Sequence, residues 1–177
     1  MKKLYFCLLV VLLSMNLISC GNKEDSYPPF IYDYYLAFVD ENNKDLVEGI
    51  STSSDISGRL MLRDGTYVYK MVKPASKDGF TEPDYIYINR IDGRHNVLEI
   101  FDMLWEAYRY DNKPEVLTRT LACPYIFGDE KEHSIVSYWK YDDSCGGVEL
   151  IRITIDGKDA HIEAEGDKSL VIAVLKK

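Results

Sequence analysis

The polar and apolar positions of this chain alternate with a period of two over most of its length. From Ile31 to Val39 the even positions Tyr32, Tyr34, Leu36 and Phe38 are all large and apolar, which places them on one face of a strand. The run from Val148 to Ile155 closes with Ile151, Ile153 and Ile155 alternating with Arg152 and Thr154, again one apolar face and one wet face. Leu170 to Leu175 is apolar in both phases, the pattern of a strand covered on both sides. Of the four Asp-Gly pairs, Asp64-Gly65, Asp92-Gly93 and Asp156-Gly157 are read as separating such runs. Both residue types tolerate the positive φ of a tight primed turn, so the pairs predict hairpins near residues 59–71, 85–101 and 148–163.

Read end to end, the pattern predicts about nine short strands. Half-apolar strands in that number bury themselves best as two antiparallel sheets packed face to face. The expected fold is therefore all-β, a single β-sandwich over residues 30–177. One segment competes with the strand reading. Asn96 and Glu99 fit a capping box, and Phe101, Leu104, Trp105 and Tyr108 recur at helical spacing, which admits one short helix near 96–109.

The first residues follow a different logic. Lys2 and Lys3 are followed by an almost unbroken apolar run from Leu4 to Met15, shorter than the roughly 20 residues that span a bilayer and matching the core of an export signal. Leu17-Ile18-Ser19-Cys20 resembles the lipobox of bacterial lipoproteins. The resemblance implies that residues 1–19 are a signal peptide, that Cys20 is the site of lipid attachment, and that residues 20–29 form a tether. Lys23, Glu24 and Asp25 resemble the short charged tag that directs Bacteroidetes lipoproteins to the outer face of the outer membrane. Phe38-Val39-Asp40-Glu41-Asn42-Asn43-Lys44-Asp45-Leu46 is similar to the opening hairpin of many small Bacteroidetes surface lipoproteins, with Asn43 where glycine is usual. Asparagine is the next best residue for a left-handed turn position. Together these features cover about the first third of the chain. They imply a surface β-sandwich of the immunoglobulin-like or transthyretin-like kind and no particular activity.

Charge narrows the partners. The whole chain carries a formal net charge of −8; loss of residues 1–19 removes two lysines and no acids, leaving 19 basic against 29 acidic residues, or −10. Nucleic acid is excluded as an expected partner, since phosphate binding needs a basic patch. Membrane contact is expected through the lipid on Cys20.

Catalytic and metal chemistry is thinly represented. His95, His133 and His161 are the only histidines, and none has partners at zinc-site spacing. Asp40, Asn42 and Asp45 have the polar character of a calcium loop, but Lys44 interrupts the oxygen ligands and the turn glycine is missing, so a polar hairpin turn is expected. The acidic run Asp129, Glu130 and Glu132 ahead of His133 reads as a solvated turn. Nucleophile elbow, phosphate loop and dinucleotide fingerprint are all lacking, so no cofactor is expected. Cys145 beside Gly146 and Gly147, with His133 as base, is the one conceivable nucleophile. Cys145 has a better use. With Cys20 acylated and the signal removed, Cys123 and Cys145 are an even pair outside the cytoplasm, for which a disulfide is the expectation.

Fourteen tyrosines are concentrated in short clusters. Tyr85 and Tyr87, and Tyr138 with Trp139 and Tyr141, are candidate binding aromatics for glycan or protein, and equally good cross-strand packing residues. The function expected is a noncatalytic binding or accessory module for glycan, peptide or envelope protein at the cell surface. The competing readings are a structural or assembly component whose strand edges pair with other subunits and, less favoured, a Cys/His hydrolase.

Overall fold

The computed structural model describes residues 30–72, 80–81, 85–91, 95–104, 115–142, 147–165 and 168–176. In chain order its elements are β1 (Phe30–Asp40), β2 (Thr52–Ser54), β3 (Leu60–Leu62), β4 (Val68–Val72), β5 (Phe80–Thr81), β6 (Tyr87–Arg90), β7 (Asn96–Leu104) and β8 (Val116–Ala122). A one-turn helix α1 (Pro124–Phe127) follows, then β9 (His133–Asp142), β10 (Gly147–Ile155), β11 (Lys158–Asp159), β12 (His161–Glu165) and β13 (Lys168–Leu175). Eight strands form one sheet in the order β12-β13-β1-β7-β6-β3-β2, with β5 also on β7, and five form a second in the order β11-β10-β9-β8-β4. Among the described residues, every strand pairing is antiparallel except that of β1 with β13. The all-β, two-sheet sandwich expected from the period-two pattern is the observed architecture.

β1 carries the core. Phe30, Tyr32, Tyr34, Leu36 and Phe38 are all buried, and each such side chain contributes about 1.5–3 kcal/mol through the apolar area it removes from water. They meet the inner face of the second sheet edge to face. Phe30 packs on Tyr141 with ring centroids 5.2 Å apart, Tyr32 on Trp139 at 5.1 Å, and Phe38 on Phe127 of α1 at 5.3 Å. These are favoured geometries for aromatic quadrupoles. Burial pushes the Tyr32 hydroxyl up to about 12.

The turns obey their local chemistry, though one of them does not make a hairpin. Asp156 and Gly157 have φ of 49° and 77°, and Ile155 pairs with Lys158 across them, a two-residue primed turn as predicted. Asn43 sits at φ 62°, and Asp40 Oδ1 accepts the Asn42 and Lys44 N–H groups, closing the turn after β1. The 85–101 hairpin is present as β6 and β7, with Asp92-Gly93 outside the described residues. Residues 59–71 are not a hairpin. β3 pairs with β2 and β6 whereas β4 pairs with β8, so the Asp64-Gly65 turn carries the chain from one sheet to the other. A turn signal specifies a reversal and leaves open which strand the next segment joins.

Two further expectations are corrected. The segment 96–104 is strand β7, not helix, and residues 105–109 lie outside the described residues. Leu98, Ile100 and Asp102 point into the core from β7, and strand neighbours on both sides, β1 and β6, outweigh the local helical spacing. In place of capping a helix, Asn96 donates its N–H and side-chain amide to Asp45 Oδ2 at 2.7 and 2.8 Å. On β10, the register with β9 shifts between Leu150 and Arg152. This bulge makes Leu150 and Ile153 core residues and leaves Ile151 55% exposed, so Ile151 does not share the face of Ile153 and Ile155.

Among the described residues, one ion pair crosses the apolar interior. Asp102 of β7 and Arg119 of β8 are both fully buried and bridge the two sheets. Arg119 Nη1 donates to Ser137 Oγ at 3.3 Å, and Trp139 Nε1 donates to the same hydroxyl at 2.8 Å. Burial raises the Tyr34 hydroxyl, and the neighbouring Arg119 partly offsets this. Arg119→Leu is expected to destabilise the fold by about 3–5 kcal/mol, because it strands the Asp102 carboxylate in the interior. The double variant Asp102→Leu, Arg119→Met is expected to recover most of the loss. Urea unfolding of the three proteins measures this, and a single-variant loss within about 0.5 kcal/mol, the size of an ordinary surface change, would show that the pair is dispensable.

Candidate functional site

The outward face of the eight-stranded sheet is organised around Glu99 of β7. Lys168 of β13 reaches Glu99 Oε1 at 2.8 Å and Asp33 of β1 at 3.0 Å. Arg59, beside β3, and Asn89 of β6 both meet Glu99 Oε2 at 2.7 Å. Burial works against the charge of Glu99, but the hydrogen bonds from Lys168 and Asn89 and the nearby Arg59 outweigh it and hold the carboxyl below its usual range. For Lys168, burial is likewise outweighed, by Glu99 and Asp33, and the ammonium sits above the ordinary lysine range. These charges are spent on one another. Beside them, a shallow recess of about 330 Å³ has an apolar floor of Ala37, Val97 and Leu170 and a rim that includes Asn43, His95 and Glu163.

The candidate aromatics divide by location. Trp139 is 4% exposed and belongs to the core, and Tyr141 packs inward against Phe30; neither is a surface residue for a ligand. Tyr87 and Tyr138 face outward, but each ring is covered by a guanidinium, Arg59 over Tyr87 at 3.6 Å and Arg152 over Tyr138 at 5.1 Å. Tyr35 is capped in the same way by Lys168 at 5.0 Å. Tyr85 is exposed. A sugar ring needs an open aromatic face to stack on, and cation–π pairing occupies those faces here.

The outward face of the five-stranded sheet has a different character. Inward-facing Leu117, Arg119 and Leu121 of β8 set the phase, and the register of β4, β8 and β9 then puts Val68, Val72, Val116, Thr118, Thr120, Val136 and Tyr138 on the outer side. Val68, Val72 and Val116 are 47%, 48% and 43% exposed. The charges on and beside this face are paired: Lys70, between Val68 and Val72, with Glu132 at 2.8 Å and Arg152 with Asp159 at 2.7 Å, and Lys140 stands opposite Glu149 in the register of β9 and β10. The result is a β-branched, charge-compensated surface on an acidic chain. Periodicity could have found it, because Val68, Val72, Thr118, Thr120 and Val136 all fall in the outward phase.

The remaining candidates have structural roles. Asp45 Oδ1 accepts the Val47 and Glu48 N–H groups, so the Asp40 and Asp45 carboxylates both accept backbone amides, and Glu41 faces Lys176 at 3.9 Å. His161 and Glu163 pair on the surface at 3.4 Å. Cys123 is buried with a free thiol, which burial pushes up, and Cys145 lies outside the described residues. His133 has both ring nitrogens engaged, Nδ1 with Asp156 at 2.7 Å and Nε2 with Asp129 at 2.9 Å. A general base needs a free lone pair, so this imidazole is not poised to activate a nucleophile. Asp129 is thus more than a solvated turn residue.

Comparison with known proteins finds no matching family model, no similar curated protein and no similar solved structure. The placement of the aromatics makes a direct prediction. Trp139→Ala is expected to cost about 3–5 kcal/mol as a core truncation, and Tyr85→Ala to stay within about 0.5 kcal/mol as a surface change. Denaturant unfolding checks both, and losses of equal size would contradict the placement.

Proposed function

We propose that the protein is a lipid-anchored, noncatalytic binding module of the cell surface, and that its ligand is the surface of another envelope protein, met by the outward face of the five-stranded sheet. The carrying observation is the exposed Val68, Val72 and Val116 on a face whose charges pair among themselves. These valines line the same outward phase of β4 and β8, and Tyr138 with Arg152 supplies the residue types that anchor protein interfaces. A glycan ligand is disfavoured by the cations that cover Tyr35, Tyr87 and Tyr138. Catalysis is disfavoured by the double engagement of His133. The anchor follows from the lipobox resemblance at Leu17–Cys20, and the outer address from Lys23, Glu24 and Asp25.

A photo-crosslinking residue placed at Val116 in living cells is expected to yield a discrete higher-mass adduct, and the same residue at Tyr85 to yield none. Adducts at neither position, or specific binding of the protein on a glycan array, would overturn the reading. An adduct of twice the chain mass would favour assembly with a second copy. Cys20→Ser is expected to abolish labelling by radioactive palmitate and to release the protein from the membrane fraction or leave it at precursor mass. Undiminished label would refute the anchor.

A further inference from the structure

His133 stands where three elements of the fold meet. It opens β9, its ring lies flat on Phe127 of α1 with centroids 3.7 Å apart and planes 11° apart, and its two nitrogens bridge Asp129, in the loop after α1, and Asp156, in the β10–β11 turn. A neutral imidazole has one N–H and one lone pair, so it can donate to only one carboxylate. The observed double contact is complete only when the ring is protonated and both nitrogens donate.

We propose that His133 is a proton-operated latch that fastens the Gly128–Glu132 loop to the β10–β11 turn and releases the loop when its proton is lost. The two arms differ in what else holds them. Asp156 Oδ1 accepts the Ser134 N–H at 2.8 Å, and the Asp156 N–H donates to the Ser134 carbonyl at 2.8 Å. That arm is fixed without the imidazole. Among the described residues, Asp129 is otherwise met only by the Lys131 N–H at 3.0 Å and the Lys131 ammonium at 3.9 Å, both from its own loop. After proton loss only one carboxylate can keep a donor; with Asp156 held in place by Ser134, the latch keeps its N–H on Nδ1 toward Asp156, and Nε2 then presents a lone pair to the Asp129 carboxylate at 2.9 Å. Two acceptors at that distance repel, so the Asp129 arm lets go. Gly128 caps α1 at φ 81° with its N–H on the Pro124 carbonyl, so the loop that Asp129 begins leaves the helix from a fixed turn.

The charged groups around the ring are consistent with this sense. From α1 and its loop come Asp129 and Lys131; from the β10–β11 hairpin come Asp156, Lys158 and Asp159; from the end of β13 comes Lys176. The two in contact with the ring are both carboxylates. Burial disfavours the imidazolium, but the hydrogen bonds to Asp156 and Asp129 outweigh it, and the group sits above the ordinary histidine range. A pKa raised in the folded state means that the latch is fully closed below the unfolded value of about 6.5 and opens as pH rises through the folded value.

Nuclear magnetic resonance of the full chain in detergent micelles tests the proposal. The His133 ring is expected to titrate with a midpoint above about 6.5, and the Gly128 and Lys131 amide signals to move with that same midpoint. In Asp129→Asn the midpoint is expected to fall, and in His133→Gln the pH dependence of the loop signals to vanish. A wild-type midpoint at or below about 6.5, loop signals indifferent to it, or an unchanged midpoint in Asp129→Asn would each overturn the latch. Asp129 lies on an exposed loop, so its variant keeps the test decisive even if His133→Gln does not fold.

Discussion

Among the described residues, one pair of buried charges, Asp102 and Arg119, ties the two sheets to a particular relative position. Apolar side chains are exchangeable partners, and a sandwich filled with them tolerates some sliding of one sheet over the other. Asp102 and Arg119 do not. Each projects from the inner face of a different sheet, and both are fully buried. Any stacking that separates them leaves an uncompensated charge in a low-dielectric interior, at a cost of several kcal/mol. The contacts around the pair inherit its position. Ser137 is placed to receive both Arg119 and the Trp139 indole, and Tyr32 and Tyr34 of β1 pack on that same indole.

The strands were legible where burial and period agree. The even positions of β1 from Phe30 to Phe38 are all buried, and Asp156-Gly157 turns as its residues require. The pair at the centre was legible in principle as well. Asp102 continues the phase of Leu98 and Ile100, and Arg119 sits between Leu117 and Leu121; a charge on the apolar face of each of two strands, of opposite sign, is a signal of contact. The bulge at Leu150 was not legible, because an extra residue shifts the phase without changing composition, and Ile151 is as apolar as its neighbours. The helical spacing that begins at Phe101 and Leu104 competed with the strand reading for a related reason. β7 is covered on both faces at its start, with Val97 buried on the outer side and Leu98 and Ile100 on the inner, so it carries apolar residues in both phases and some fall by chance at intervals of three and four.

The candidate surfaces were less legible, since they depend on which strands lie side by side. Nothing in the spacing of Arg59 and Tyr87, or of Lys168 and Tyr35, announces that a cation will cover each ring. That fact decides whether an aromatic-rich face can receive a sugar. His133 shows the same dependence. Asp129, four residues earlier, is visible in the sequence, whereas Asp156 arrives only through the pairing of β9 with β10.

The parallel pairing of β1 with β13 has a mechanical side. β1 is held along both flanks, its residues 34–40 by β13 and its residues 30–36 by β7. A tug transmitted from an anchor on Cys20 would reach the domain at Phe30 and run along the axis of that strand. The inter-strand hydrogen bonds lie across such a pull and share it in shear, so that many rungs must yield together. At the free end of a hairpin they would instead break in succession, each rung bearing the whole load in its turn. Under the proposed anchor, a domain entered in this way would resist being drawn out by its tether, because the two flanks of β1 would have to give way together.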